Sequence, residues 1–343
     1  MKYIRDLEPE DQITGFYRVA AKYMRETRTG KPYLDLRLID KTGEVPAKMW
    51  EDPEGKWDDF GRGDVIKVQA RVDLYDNKPQ LILQRVRAIT EEDRERDFDP
   101  SRLTETTDYD AEAMWEELLE LAAGIGPPLD SLVQAVLEEK REAFRLAPAS
   151  VYLHHPYLGG LLEHTLSVTR TCEYLAGKYP VRRDLLLAGS ILHDIGKVEE
   201  IRPYPEQEYT ASGKLIGHIV QGWQIVQDKA RELGTVDEER LMLLGHLILS
   251  HQGRPEWSSP RVPQTLEALV LHYADDLDAK VQMFCRAVDR DMQEGDFTAR
   301  HRAMARELFK PTYLSVREER KEASPAPPGP APGSELEKPP SGS

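Results

Sequence analysis

Cysteine is nearly absent: the 343 residues hold two, Cys172 and Cys285. They stand in helix-like segments with no repeated spacing. That excludes a disulfide framework and reads as buried, reduced thiols in a cytoplasmic protein. Long apolar runs are missing too. Leu185–Leu192 and Leu241–Leu249 are interrupted or too short to cross a bilayer, so no membrane partner is expected. The start, MKYIRDLEPEDQ, is charged and lacks the apolar stretch of a signal peptide. Positive charge is in deficit, with 46 Lys and Arg against 61 Asp and Glu and a net charge of −15. Such a surface repels phosphate and argues against general nucleic-acid binding. The deficit is uneven, since residues 1–90 carry 17 basic against 16 acidic side chains. There is no internal repeat. Hydrophobic residues make up 40%, enough for a core that needs neither disulfide nor metal to hold it.

Two patterns of periodicity divide the chain. Residues 12 to about 90 alternate as strands do, in Tyr33–Ile39, Val65–Val72 and Leu81–Val86. Turn signals separate them at Thr29–Pro32, Asp40–Gly43, Gly61–Asp64 and Asp76–Pro79. About five short strands in some 80 residues suit a small closed barrel, of which the OB-fold is the commonest. From Asp110 onward the spacing is helical, as in Trp115, Leu118, Leu119 and Ala122. Helices are expected over about 110–122, 129–145, 160–178, 183–195, 214–233, 237–251 and 263–290. The expected fold class is multidomain α+β. A five-stranded OB-like β-barrel (1–90) is followed by a charged linker (91–109) and an all-α domain (110–315). A Pro-, Gly- and Ser-rich disordered tail (316–343) closes the chain.

Eight of the nine histidines fall between residues 154 and 272: His154, His155, His164, His193, His218, His246, His251 and His272. Any one alone reads as an ordinary core or surface histidine. Their context is more specific. Leu192-His193-Asp194-Ile195-Gly196-Lys197 ends an apolar helix with charged groups, and buried charge needs compensation. A divalent cation supplies it. Lys197 falls on the face of Asp194 three residues on. His164 sits among apolar neighbours, and Asp275 lies in Tyr273–Asp278 on another apolar helix. His164, His193, Asp194 and Asp275 make a mixed nitrogen and oxygen set with positions left for water. With Asp194 bridging, His218 and one or both of His246 and His251 can hold a second ion, an arrangement recurrent in phosphodiester cleavage. Asp194 and Lys197 are then the candidate catalytic residues, with Lys197 on a non-bridging phosphoryl oxygen. The alternative for His246 is to orient a ligand rather than act as one.

These residues resemble the HD superfamily of metal phosphohydrolases, through His164, the His193-Asp194 doublet and Asp275. More specifically the chain is similar to the YhaM-type 3′-5′ exoribonucleases. The resembling stretches are His154–Val168, Leu192–Lys197, Gly217–Ile219, Ile248–Gly253 and Leu271–Lys280, and the likeness covers about residues 10–315. It implies an HD-type helical domain and a hydrolase of single-stranded RNA, with single-stranded DNA as a further substrate. Nucleoside 5′-monophosphates are the implied products. The implied cofactor is one or two divalent metal ions, manganese (Mn2+) first, with Mg2+, Co2+ or Fe as substitutes. The family often has two adjacent histidines where this chain has His251-Gln252, and an amide is a weaker ligand than an imidazole.

Barrels of the OB type bind single strands through aromatic and basic side chains. The candidates are Tyr17, Arg18, Lys22, Tyr23, Arg25, Arg28, Tyr33, Arg37 and Lys48, with Trp50, Tyr75 and Arg71 beside them. Five of the residues from Arg18 to Lys31 are basic and one is acidic. Trp50 and Trp57 are expected in the core. Three functions compete: an exonuclease whose barrel feeds a strand to the metals, a phosphohydrolase of nucleotides or cyclic dinucleotides whose barrel serves assembly, and a binding protein with a decayed site. The complete ligand set argues against the third and the barrel favours the first. The sequence leaves a homo-oligomer open.

Overall fold

The computed structural model describes residues 2–27, 29–76, 78–99, 102–203, 207–291 and 293–323. Arg28 and residues 324–343 of the expected tail lie outside them. The chain divides into two compact units, 1–283 and 284–343.

In the first unit, β1 (Gln12–Glu26), β2 (Pro32–Asp40), β3 (Gly43–Met49), β4 (Val65–Tyr75) and β5 (Lys78–Ala88) close a barrel in the order β1-β2-β3-β5-β4. This is the five-stranded OB arrangement. Alternation sets which side chains point inward: Leu34, Leu36 and Leu38 on β2, and Ile66, Val68, Ala70 and Val72 on β4, are all buried. On β1 the inward set begins Ile13, Tyr17, Val19. A bulge between Val19 and Ala21 then moves the pairing so that Lys22 stands opposite Leu36 and Met24 opposite Leu34. The extra residue turns the even-numbered side chains inward beyond it.

The expected linker contains α1 (Glu91–Arg96), capped by Thr90 in a reciprocal bond with Asp93. Asp93 is buried against the barrel, bonded by Lys67 Nζ (2.9 Å) and Arg87 Nη2 (2.9 Å). Charge here marks an anchored helix, not a loose connection.

Helices α2 (Ala111–Ala123), α3 (Leu129–Leu146), α4 (Gly160–Ala176), α5 (Arg183–Leu192), α6 (Lys197–Glu200), α7 (Ala211–Leu215), α8 (His218–Leu233), α9 (Glu238–Ser250) and α10 (Leu266–Asp289) follow. Every residue of α5 from Leu185 to Leu192 is buried, as expected of a helix apolar on all sides. The expected helix 183–195 stops at Leu192, and His193–Gly196 form a turn before α6. Gly217, with φ +82°, separates α7 from α8 within the expected helix 214–233. Among the described residues, no helix is long and apolar enough to cross a membrane.

In the second unit, bridges pair Phe297 with Phe309 and His301 with Arg306. Lys310 Nζ reaches Asp291 Oδ2 at 3.0 Å. Helix α11 (Pro311–Ala323) covers the first eight residues that the tail was expected to include.

Candidate metal centre and nucleic-acid face

Four imidazoles converge on Asp194, and each is fixed by its far nitrogen. His164 Nδ1 donates to Asp278 Oδ2 at 2.7 Å. His193 Nδ1 donates to the Ser190 carbonyl, and His251 Nδ1 to the Ile248 carbonyl, both at 2.8 Å. His218 Nδ1 lies 3.0 Å from Glu200 Oε2. Anchoring Nδ1 leaves Nε2 as the ligand atom and sets the ring plane. The two carboxylate oxygens of Asp194 face different partners. Oδ2 lies 3.4 Å from His164 Nε2 and 3.3 Å from His193 Nε2. Oδ1 lies 3.4 Å from His218 Nε2 and 3.5 Å from His251 Nε2. Asp275 Oδ1 completes the first group, 3.2 Å from His164 Nε2.

Two triads result, His164–His193–Asp275 and Asp194–His218–His251, with donor atoms in each within 4.8 Å of one another. Local structure explains the convergence. His193 and His251 cap the C-terminal ends of α5 and α9, where the chain turns and frees the rings. His218 opens α8, and Gly196 lets that end approach: a Cβ there would stand 2.0 Å from the His218 carbonyl oxygen.

The group fits divalent cations. Among the described residues Asp194 Oδ1 and His218 Nε2 are buried without a hydrogen-bond partner, a costly state that a cation between them would relieve. Lys197, itself buried, is ion-paired with Asp194 Oδ2. Burial opposes the charged form of Asp194, yet Lys197 and His193 hold it well below the usual carboxylate range. Burial likewise opposes a charged His164, but Asp194, Asp275 and Asp278 outweigh it and raise His164 well above its ordinary value. His251 is lowered by burial against the pull of Asp194. Asp278 is held low, with His155 and His164 outweighing burial.

His246 is directed elsewhere. Its Nε2 accepts the Gln264 backbone N–H at 2.9 Å, and the ring sits half-buried outside both triads. Five residues separate it from His251, which on a helix turns the two rings to different faces. Gln252 Nε2 stands 3.3 Å from His251 Nε2, beside the second triad. Sequence reasoning missed Asp278 and His155. Asp278 binds His164, His155 Nε2 (2.9 Å) and Ser167 Oγ at once. Its spacing of three from Asp275 on one helix was the available signal.

Residues 161–280 match the family model described as HD domain. The 3′-5′ exoribonuclease YhaM of Geobacillus sp. (strain WCH70) is 37% identical over 318 residues, 92% of this chain and 97% of that protein. The YhaM of Bacillus subtilis (strain 168) is 34% identical over 89% of this chain and 97% of its own. The chain belongs to the YhaM family. Among solved structures, the second OB-fold domain of replication protein A from Methanococcus maripaludis aligns with 26% of this chain and 95% of its own. Its sequence identity is 20% and its TM-score 0.22.

The barrel of this YhaM-family chain sorts the remaining candidates. Tyr17 is fully buried, in phase with Ile13 and Val19, and cannot stack on a base. Lys22, turned inward by the bulge, donates to the carbonyls of Lys56 (3.4 Å), Trp57 and Phe60 (2.6 Å) and so ties down the loop before β4. Burial lowers its pKa. Trp50 and Trp57 are not core: they are 45% and 40% exposed, because neither lies at an inward strand position. Trp50 instead stacks on Tyr33, centroids 4.5 Å apart. Lys48 reaches over Tyr33 and Tyr75, at 5.8 and 5.2 Å. Tyr23 is exposed, with Arg25 over its ring at 5.5 Å. Arg25 also pairs with Asp35 (2.7 Å), and Arg37 with Glu44 (3.2 Å). Arg18 is half-buried.

Proposed function

We propose that this chain is a metal-dependent 3′-5′ exoribonuclease that shortens single-stranded RNA, and single-stranded DNA as a further substrate, to nucleoside 5′-monophosphates. The observation that carries the reading is Asp194, one buried carboxylate shared between two imidazole triads. His164, His193, Asp194 and Asp275 would hold one ion, and Asp194, His218 and His251 the other, manganese being the resident metal. Bound there, a pair of divalent cations supplies Lewis-acid polarisation of the phosphoryl group and acidifies water.

The chain's own residues do the rest. Lys197 places its ammonium beside Asp194, where it meets a non-bridging phosphoryl oxygen. Asp278, Ser190, Glu200 and Ile248 hold the imidazoles in plane. In the reaction a water oxygen bonds to phosphorus and the bond to the 3′-oxygen of the shortened strand breaks. The proton that water loses ends on that 3′-oxygen. The barrel face of Tyr23, Tyr33, Lys48, Trp50 and Tyr75 holds the strand through stacking and charge. An RNA substrate and two free cysteines favour the cytoplasm as its compartment.

The test uses a 5′-labelled single-stranded oligoribonucleotide with manganese or EDTA. A ladder shortening from the 3′ end with release of 5′-monophosphates, abolished by EDTA, is expected. Intact RNA alongside turnover of free nucleotides or cyclic dinucleotides would replace this reading by the phosphohydrolase one.

A further inference from the structure

The loop between α3 and α4 is held more firmly than the two triads require. Ser150 Oγ accepts the backbone N–H of Leu153 (2.9 Å) and of His154 (3.0 Å) and donates to the His154 carbonyl (2.8 Å). One residue on, His155 adopts φ +41°, a conformation a histidine keeps only where its surroundings impose it. They do. Its Nδ1 shares a 2.7 Å hydrogen bond with the Tyr157 hydroxyl and its Nε2 meets Asp278 at 2.9 Å. Gly160 leaves room for the His155 carbonyl, which a Cβ there would approach to 2.1 Å.

What this clamped loop presents is His154. Its ring centroid lies 5.1 Å from that of His164, a ligand of the first triad. It belongs to neither triad. Its Nε2 is shut off from solvent and has no hydrogen-bond partner among the described residues. A sealed polar nitrogen without a partner needs an explanation, and beside a reaction centre a ligand atom supplies one.

We propose that His154 is a catalytic residue: its Nε2–H donates a hydrogen bond to a non-bridging oxygen of the phosphodiester seated beside His164. The assignment rests on the exonuclease reading above. No proton leaves the ring, so the balance of the hydrolysis is unchanged. The donor is aimed before the substrate arrives and acts where water is excluded, so it strengthens as charge gathers on that oxygen. Ser150 and His155 act through it as positioning residues.

The test compares wild type with His154→Ala, His154→Leu and His154→Gln on a single-stranded oligoribonucleotide. It also uses an activated ester, thymidine 5′-(p-nitrophenyl phosphate). His154→Ala and His154→Leu lower kcat about 10²-fold on both substrates, the size expected for one lost donor. KM, bound metal and melting temperature stay as in wild type. His154→Gln, which keeps an N–H donor, recovers part of the loss. In protein labelled with [15N]histidine, adenosine 5′-monophosphate shifts the ring resonance that His154→Gln removes. Four results overturn the proposal: unchanged kcat, a loss that follows metal content, a His154→Leu variant as active as wild type, or an effect confined to the unactivated substrate. If wild type leaves RNA intact while the activated ester still depends on His154, the exonuclease reading fails and the role of His154 stands.

Discussion

Asp194 concentrates the chemistry of the site in one side chain, so its replacement tests both triads at once. Asp194→Asn keeps the shape but removes the charge that two ions would share. Turnover should fall more than about 10³-fold, as when charge is removed from a reaction centre, and bound metal measured by elemental analysis should fall with it. The fold should remain, because the helical region has an apolar core independent of the site. Circular dichroism in EDTA should likewise be unchanged. Asp194→Ala is harsher, because it leaves the buried Lys197 ammonium without even the amide oxygen that Asn still offers, within the cost of about 3–5 kcal/mol for breaking a buried pair, and its melting temperature should drop below that of the Asn variant. Proton linkage gives a second test. Without metal, His164 is held above its ordinary value and keeps its proton near neutrality, whereas His251 is lowered and stays neutral. An ion must displace the His164 proton. Apparent metal affinity therefore falls on acidification and keeps rising with pH past the ordinary histidine value of about 6.5, levelling only where the raised His164 loses its proton unaided, with about one proton released per protein near pH 7. Titration calorimetry in two buffers of different ionisation enthalpy measures it, and metal binding without proton release would contradict it.

At the scale of elements, Gly196 shows how close packing makes a ligand set. A methyl group at that position collides with the His218 carbonyl and with the Gly222 nitrogen, which would stand 2.5 Å away. Gly196→Ala should push α8 off the turn after the His193-Asp194 doublet and carry His218 from Asp194. Metal stoichiometry should drop toward one ion while the first triad still binds; two ions at wild-type affinity would mean that α8 need not sit so close. The helices themselves were legible in the sequence because apolar spacing repeats over many turns, and His164, His193, Asp194 and Asp275, which the structure brings together, stood out as charge set among apolar residues. Finer features were not. Tyr17 sits in period with Ile13 and Val19, so its burial could have been read. Lys22 could not, because the bulge that turns it inward depends on pairing with β2. His246 and His251 look alike along the chain, and only the helix end at Ser250 frees the second ring. Asp278 hid beside Asp275 because the bond that reveals it comes from α4.

Barrel and helical region are joined by hydrogen-bonded chain. The Lys41 N–H, just past β2, donates to the Arg102 carbonyl at 3.0 Å. A few residues on, the Leu158 N–H donates to Glu105 (3.0 Å) and the Thr107 N–H to Leu158 (2.9 Å), on the loop that carries His154 and His155. The barrel is thus tied through this stretch of chain to the loop beside His164. Division of labour follows. Trp50→Ala removes one stacking surface, worth about 1–3 kcal/mol per base, and should raise KM for single-stranded RNA about 5- to 150-fold while leaving an activated small ester unaffected. Stacking and phosphate contacts carry no base code, since every base has a π-face, so little sequence preference is expected. A duplex offers neither free base faces nor a strand thin enough to reach ligands that are wholly buried, as His164, His193 and His251 are. A 5′-labelled hairpin with a 3′ single-stranded tail should therefore shorten nucleotide by nucleotide through the tail and stall near the stem. Trp50→Ala should slow the tail phase and leave the stall position unchanged. A single internal cut would make the enzyme an endonuclease, and uninterrupted passage through the stem would show that strand separation belongs to the protein itself.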